Sequence, residues 1–137
     1  MQVDRGGTMP TNKAPESSFT GDVYISGYFR RAPPSRLAGA TVTSTPGSRT
    51  PWKVNPQGQT LIVTSGVGRA QGEGEEIVEI RVGDRVWCPP GQRHWEGATL
   101  DSAMTYVAIQ EELDGRRVEF GEKVTDEEYR KVIQSSG

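Results

Sequence analysis

The sequence predicts an all-β fold, a small antiparallel β-barrel or jelly roll followed by a short C-terminal helix. Turn signals recur about every eight to twelve residues beyond position 18, a spacing typical of sandwiches and barrels. Only one segment, close to the C-terminus, has the pattern of a helix. The length of 137 residues fits one domain with one core.

The predicted elements follow one another from a polar N-terminus. Residues 1–18 are rich in Gly, Pro and Ser, which predicts a flexible N-terminal arm or a strap on a partner subunit. A single domain is expected over residues 19–137, with turns at positions such as Pro46-Gly47. The predicted strands are residues 23–29, 38–45, 50–55, 59–66, 67–72, 75–82, 84–90, 94–99 and 103–111.

The predicted helix begins after Thr125. Thr125 and Glu128 have the spacing of a capping box, in which each side chain bonds the backbone N–H of the other residue. In the run DEEYRKVIQ, residues 126–134, the acids precede the bases, as the helix dipole favours. The sequence therefore predicts one helix at the end of an otherwise all-β chain.

Composition and charge exclude several classes of function. The net charge is −2 and the Lys and Arg residues are scattered, so no nucleic-acid partner is expected. No apolar run approaches the roughly 18 residues of a membrane-spanning helix, and residues 1–18 lack the apolar core of a secretory signal. The single cysteine, Cys88, is compatible with a reducing compartment. We expect a cytoplasmic protein that binds neither nucleic acid nor membrane.

Two segments carry polar residues at the spacing of a paired barrel motif. The first contains Gly47, Lys53, Asn55, Gln59 and Gly66, and the second contains Gly83, Pro89, Gly91 and His94. With AMTYVAIQE and VTDEEYRK, they resemble small single-domain bacterial cupins, similar to carboxymuconolactone decarboxylase-like cupins and manganese-dependent cupin hydroxynitrile lyases. The resemblance covers roughly residues 19–131 and implies a cupin-type barrel assembled as a homodimer or homotetramer. For the lyases it implies a metal held by His, His, Gln and His, and cleavage or formation of a cyanohydrin C–C bond.

The chain departs from that implied ligand set in the first motif. Gln59 and His94 match it, whereas Lys53 and Asn55 stand in place of the two histidines. Glu96, Tyr106 and Ser44 also replace residues expected in the lyases, two pocket histidines and a bulky aromatic. These changes concentrate on one predicted face. They indicate a pocket altered for another chemistry, by natural divergence or by deliberate redesign.

Period-two alternation along the strands assigns the inner face of the barrel. Side chains two residues apart on a strand point to the same side. The motif alignment favours the set that contains Lys53, Asn55, His94 and Tyr106 as the inward one. The predicted substrate-binding residues on this face are Asn55, Gln59, Glu96, Ser44, Val42, Ala40 and Gln110.

Lys53 carries the functional hypothesis. Burial disfavours the charged ammonium, and a neutral amine in an apolar pocket can form a Schiff base with a small carbonyl compound. The iminium is an electron sink, so the predicted reaction is C–C lyase or aldol-type chemistry, with Tyr106 and His94 moving protons. The structural alternative is a lysine that fills the space of a metal and pairs with Glu96, or extends to the pocket mouth.

Three functions follow from this pocket. The first is the Schiff-base lyase, which needs no metal. The second is a metal-dependent hydroxynitrile lyase or oxygenase, in which Mn or another divalent cation is held by Gln59, His94 and Glu96. The third is a non-catalytic barrel that binds a small molecule. All three place the function in the same cavity.

Overall fold

Ten strands and one short helix form the all-β fold in a computed structural model that describes residues 1–132. The strands join in one curled antiparallel sheet, as the sequence predicts. The elements are β1 (Thr11–Lys13), β2 (Val23–Arg30), β3 (Leu37–Ser44), β4 (Lys53–Val54), β5 (Gln59–Gly72), β6 (Val78–Arg81), β7 (Arg85–Cys88), β8 (His94–Ala98), β9 (Met104–Glu111), β10 (Glu119–Phe120) and α1 (Asp126–Tyr129).

The strand order along the sheet is β1-β2-β3-β9-β5-β8-β4-β10, and β6 and β7 also pair with β5. The 14-residue β5 links the two halves of the curled sheet. Its first part pairs with β9 and β7, and its second part pairs with β8 and β6. The sequence predicted two strands here, over residues 59–66 and 67–72. Gly66, with a φ of +75°, lets the chain turn between the halves without ending the strand.

Both ends of the domain contain structure that the sequence did not predict. Strand β1 pairs with β2, and the following residue, Ala14, is buried in the core. The sheet therefore begins inside the segment 1–18 that was expected to be a flexible arm, because its polar strand gains backbone pairing from β2. Strand β10 pairs with β4, which is limited to Lys53–Val54 within the predicted strand 50–55.

The C-terminal helix α1 has the capping box expected at Thr125 and Glu128. The helix ends at Tyr129 rather than continuing to residue 134, and residues 133 and 134 lie outside the described residues. Tyr129 is fully buried, and its hydroxyl donates to the carbonyl of Ala98. The ring is therefore held against the sheet at the point where the helix stops.

Two apolar clusters lie on opposite sides of the sheet that carries the polar motif. The larger contains residues such as Leu61, Val63 and Met104, inside the curl of the sheet. The smaller consists of Trp52, Ile77, Trp95, Val124 and Tyr129 and lies under the C-terminal segment. Alternation explains this arrangement, because Trp52 and Trp95 neighbour residues whose side chains face the inner side.

Within residues 1–132, no helix is long and apolar enough to cross a membrane. The cytoplasmic location and the homodimer or homotetramer stay predictions.

Candidate functional site

A cavity of about 110 Å³ opens between the inner face of the sheet and the segment around β10. Its apolar wall comes largely from residues that lie outside the polar motifs. Eight of the ten predicted site residues line it: Ala40, Val42, Lys53, Asn55, Gln59, Glu96, Tyr106 and Gln110. The remaining lining residues are Phe19, Ile25, Tyr28, Gly39, Thr50, Ala108, Arg117, Val118 and Phe120.

Two of the predicted site residues, Ser44 and His94, are buried but do not line this cavity. Ser44 is the last residue of β3 and pairs with Met104, so it lies among core side chains. His94 borders a different cleft, beside Cys88. Both share the inward parity that the sequence assigned, yet the cavity does not extend as far as either residue.

Lys53 and Glu96 form a buried ion pair in the cavity wall. The Lys53 Nζ lies 2.7 Å from Glu96 Oε2 and 3.0 Å from Gln59 Oε1. The two charged side chains are 5% and 1% exposed. Strands β4 and β8 bring them together, since Lys53 pairs with His94 and Glu96 follows on the same face. The pairing expected of a structural lysine is therefore present, and it lies inside the cavity wall.

Tyr106 completes a three-residue hydrogen-bonded group with this pair. Its hydroxyl donates to Glu96 Oε2 across 2.6 Å. Burial and the negative charge of Glu96 raise the pKa of Tyr106 well above its ordinary value, so the phenol stays protonated. Burial also raises the pKa of Glu96, but the positive charge of Lys53 and the hydrogen bonds to this carboxylate outweigh it and lower the pKa overall. Glu96 is therefore a carboxylate that accepts from two donors.

Two buried oxygens of the cavity residues have no hydrogen-bond partner within residues 1–132. They are Glu96 Oε1 and Asn55 Oδ1. A buried acceptor left without a donor typically costs about 1–3 kcal/mol. Such atoms are tolerated where a site serves function rather than stability. The other side of the Asn55 amide is fixed, because its Nδ2 donates to the carbonyl of Arg117 across 2.7 Å.

His94 reaches the ion pair only through Gln59. Its Nε2 lies 3.3 Å from Gln59 Oε1, and its Nδ1 lies 3.1 Å from the carbonyl oxygen of Gln92. Both neighbours are acceptors, and a neutral imidazole can donate to only one of them. Burial and the nearby Lys53 charge lower the pKa of His94, which favours the neutral ring. His94 does not line the cavity, so it is not positioned to exchange a proton directly with a molecule bound there.

A second amide continues the polar wall. Gln59 Nε2 donates to Gln110 Oε1 across 3.0 Å, so both the oxygen and the nitrogen of the Gln59 amide are hydrogen-bonded.

The residues that sequence reasoning missed are those of the apolar wall and of the segment from Arg117 to Phe120. Only the pattern of Val118 and Phe120, apolar residues two apart, offered a signal for this segment. The sequence contained no indication that it would lie against β4.

Gln59, His94 and Glu96, the three residues predicted as possible metal ligands, do not fit a divalent cation in this arrangement. Gln59 Oε1 and Glu96 Oε2 both accept hydrogen bonds from the Lys53 ammonium. A divalent cation bound by these two oxygens would lie beside a like charge, which opposes binding. Within residues 1–132, no group of three or more His, Cys, Asp or Glu side chains could hold a metal ion.

Comparisons with known proteins agree with this architecture. Residues 40–110 match the family described as the cupin domain. The chain is 50% identical over 131 residues to a protein named (R)-mandelonitrile lyase from Granulicella tundricola, covering 96% of this chain and 100% of that protein. It is also 32% identical to a cupin-like protein from Thermotoga maritima, with a TM-score of 0.82 and 97% of each chain covered.

More distant structures share the fold alone. A polyketide cyclase from Streptomyces resistomycificus superimposes with a TM-score of 0.72 at 13% identity, covering 94% of this chain and 90% of that chain. At this identity the likeness concerns the path of the backbone. What the cavity does must therefore be argued from its own side chains.

Proposed function

The chain belongs to the cupin family, and from this premise we propose that it is a carbon–carbon lyase acting on a small carbonyl compound through a Schiff base on Lys53. The name of the Granulicella tundricola relative supports the lyase class. The observation that carries the proposal is the position of Lys53. Lys53 lines a cavity, and its amine is hydrogen-bonded to a buried carboxylate that also accepts from Tyr106.

The first step uses Glu96 as the base. The Lys53 ammonium gives one proton to the Glu96 carboxylate across their 2.7 Å hydrogen bond, which leaves a neutral amine. The amine nitrogen then attacks the carbonyl carbon and forms a carbinolamine. Glu96 returns the proton to the departing hydroxyl, and water leaves. The products are an iminium on Lys53, an ionised Glu96 and one water molecule.

The charge of the site is the same before and after this sequence. A protonated Schiff base carries one positive charge, as the lysine ammonium does. The Glu96 carboxylate, whose pKa is lowered beside Lys53, therefore stabilises either form at the same place. In the resting protein the pair keeps Lys53 charged, which disfavours nucleophilic attack. The same pair favours the iminium, because the iminium is also a cation beside Glu96.

The second step breaks the C–C bond. In a substrate with a hydroxyl on the carbon β to the former carbonyl carbon, the ionised Glu96 carboxylate removes the hydroxyl proton. The bond between the α and β carbons breaks and its electrons move onto the iminium, which releases a second carbonyl compound and leaves an enamine on Lys53. Glu96 then gives its proton to the enamine carbon, and addition of water to the resulting iminium releases the ketone and restores the Lys53 ammonium. Tyr106 supports this exchange by holding Glu96 through its hydroxyl.

Borohydride trapping tests the covalent step. The protein is incubated with a panel of small ketones and aldehydes, reduced with borohydride and digested, and the adducts are located by mass spectrometry. We expect a reduced adduct on the peptide that contains Lys53, and its loss in Lys53→Met. Lys123, an exposed lysine, supplies the control variant Lys123→Met, which should leave that adduct unchanged.

The absence of a Lys53 adduct with every carbonyl compound would overturn the Schiff base. Equal labelling of Lys53 and Lys123 would also overturn it, because it would indicate unselective amine chemistry. Stabilisation of the fold by a carbonyl compound without adduct or turnover would instead identify a binding barrel. Stoichiometric metal in the purified protein, with turnover that depends on it, would favour the metal-dependent alternative.

A further inference from the structure

Arg117 lines the cavity and is exposed, which places it at the cavity mouth. None of the ion pairs formed within residues 1–132 includes Arg117. The nearby Glu119 pairs with Arg116 instead, across 3.0 Å. The Arg117 guanidinium lies over the ring of Tyr28, 5.0 Å from its centroid.

The backbone of Arg117 is held beside the strand that carries Lys53. The buried Asn55 amide donates to the Arg117 carbonyl, and β10 pairs with β4 so that Phe120 lies opposite Lys53. Arg117 precedes Phe120 by three residues, roughly 10 Å along an extended chain. Lys53 therefore lies in the deep part of the cavity, and Arg117 lies at the mouth of the same cavity.

Among the described residues, one positive charge at the cavity is unmatched. Lys53 and Glu96 neutralise each other inside, whereas no acidic side chain of residues 1–132 pairs with Arg117 at the mouth. The mouth is otherwise apolar and aromatic. Tyr28 and Phe120 are 45% and 49% exposed there, and Phe120 packs edge-on against Phe19 with ring centroids 5.5 Å apart. This combination suits a molecule with an apolar body and one anionic group.

We infer that Arg117 binds the carboxylate of the substrate, so that the compound which reaches Lys53 is a small keto acid or hydroxy-keto acid with an apolar body. The reacting carbonyl of this inferred substrate rests on the proposed function. The anion site is argued from the position of Arg117 alone. A guanidinium can bond both oxygens of a carboxylate, which fixes direction as well as position. An acid held at the mouth would point the rest of the molecule toward Lys53.

A pair of unreactive ligands tests the anion site without involving the Schiff base. The probes are 3-phenylpropanoate and 3-phenylpropanamide, which share an apolar body and differ in charge. Affinities are measured by calorimetry on the full chain. We expect the carboxylate to bind roughly tenfold more tightly than the amide, a preference that weakens with added salt because the site is at the surface. Arg117→Gln should remove this preference.

Arg116→Gln is the matched control, because it removes the same charge from the next residue. It should keep the preference for the carboxylate, since Arg116 does not line the cavity. Equal loss in both variants would overturn the inference and assign the effect to net charge. An unchanged preference in Arg117→Gln, or no preference in the wild-type protein, would overturn it as well. Circular dichroism and melting temperature establish that both variants are folded.

Trapping of 4-oxopentanoate and its neutral amide on the wild-type protein separates this inference from the proposed function. If Lys53 is labelled by the acid at roughly tenfold lower concentration than by the amide, both proposals are supported. If neither compound labels Lys53 while the carboxylate preference persists, the Schiff base fails and the anion site survives. If both label Lys53 at the same concentration, the Schiff base survives and the inferred substrate class fails.

Discussion

Two buried cations in this barrel have different surroundings. Arg49 and Lys53 lie four residues apart and are 4% and 5% exposed. The Arg49 guanidinium donates to the Val124 carbonyl from Nε and Nη2, at 3.2 and 2.8 Å. It also pairs with Asp126 at 2.8 Å and stacks on the Tyr129 ring, 4.5 Å from the centroid. Arg49 thus joins the sheet to the C-terminal segment.

Lys53 has partners of another kind. Its carboxylate partner, Glu96, is itself buried, whereas Asp126 beside Arg49 is 73% exposed. Arg49 is satisfied largely by a neutral carbonyl and an aromatic face, so it needs no buried counter-charge. The comparison indicates that a buried cation has a structural role when its partners are backbone carbonyls and exposed side chains. A buried cation held by a buried acid in a cavity wall is costly for stability and suited to chemistry.

The largest expected effect that separates the two cations is on turnover. Lys53→Met should lower the lyase rate roughly a thousandfold or more, because the covalent route is lost. Arg49→Met should leave the rate within about threefold at a temperature where it is folded. The hydrogen-bond partners of its side chain within residues 1–132, Val124, Gly47 and Asp126, do not line the cavity. Rates are measured with the carbonyl compound that labels Lys53. Comparable losses in both variants would erase the distinction.

The second effect is on the free energy of unfolding. It tests whether burying the Glu96 carboxylate is what destabilises the fold. Lys53→Met leaves Glu96 without its cation, which should reduce the free energy of unfolding by about 3–5 kcal/mol. The double variant Lys53→Met/Glu96→Gln removes the stranded charge and should recover most of that loss. Urea unfolding of the single and double variants measures both values. A double variant no more stable than Lys53→Met would show that the pair itself stabilises the fold.

Arg49→Met gives the third effect. The variant loses hydrogen bonds to the Val124 carbonyl and its stacking on Tyr129 while keeping a long apolar side chain. We expect a loss of about 2–3 kcal/mol in urea unfolding, together with faster proteolysis near the C-terminus. Lys13→Met, which removes an exposed cation with surface partners, is the control and should change stability little. A similar loss in that control would contradict a specific role for Arg49.

The cavity side could be predicted from sequence further than the C-terminal side could. Alternation along β4 and β8 and the motif spacing brought Lys53, Asn55, Gln59 and Glu96 onto one wall, since those contacts follow from strand register. The role of Arg49 depends on partners such as Val124, 75 residues away along the chain. No local pattern encodes a contact of that separation.

The same limit explains why Arg117 was missed. It lies beyond the last long strand, in a stretch whose only pattern is the pair Val118 and Phe120, and β10 brings it to the cavity by pairing with β4. His94 shows the opposite error. Its parity and motif position were informative about burial, but they could not show that the Gln59 amide would lie between it and the cavity. Parity predicts a side of the sheet, and the packing of neighbouring side chains decides which residues a cavity reaches.

The fourth effect concerns pH and belongs to the cavity side. The pKa of His94 is lowered by burial and by Lys53, so the unfolded chain takes up this proton first as pH falls below 6.5. The free energy of unfolding that depends on a neutral His94 is therefore fully present above pH 6.5. It is lost as the pH falls toward the pKa of His94 in the folded protein. The lowered pKa of Glu96 adds a second loss below about 4.5. His94→Gln should flatten the first part only, as measured by unfolding between pH 7 and pH 5.

The smallest effect tests the exposed acid beside Arg49. Asp126→Asn should lower the free energy of unfolding only slightly, because an exposed carboxylate is screened by water and Arg49 keeps its bonds to Val124. Asp126 also lies in the first turn of α1, where any acid is favoured by the helix dipole. Glu127→Gln removes the same charge from the same turn without touching Arg49, so the difference between the two variants in urea unfolding isolates the ion pair. If Asp126→Asn lost much more stability than Glu127→Gln, as much as Arg49→Met loses, Arg49 would depend on a specific carboxylate as Lys53 does. The contrast between the two cations would then rest on the cavity alone.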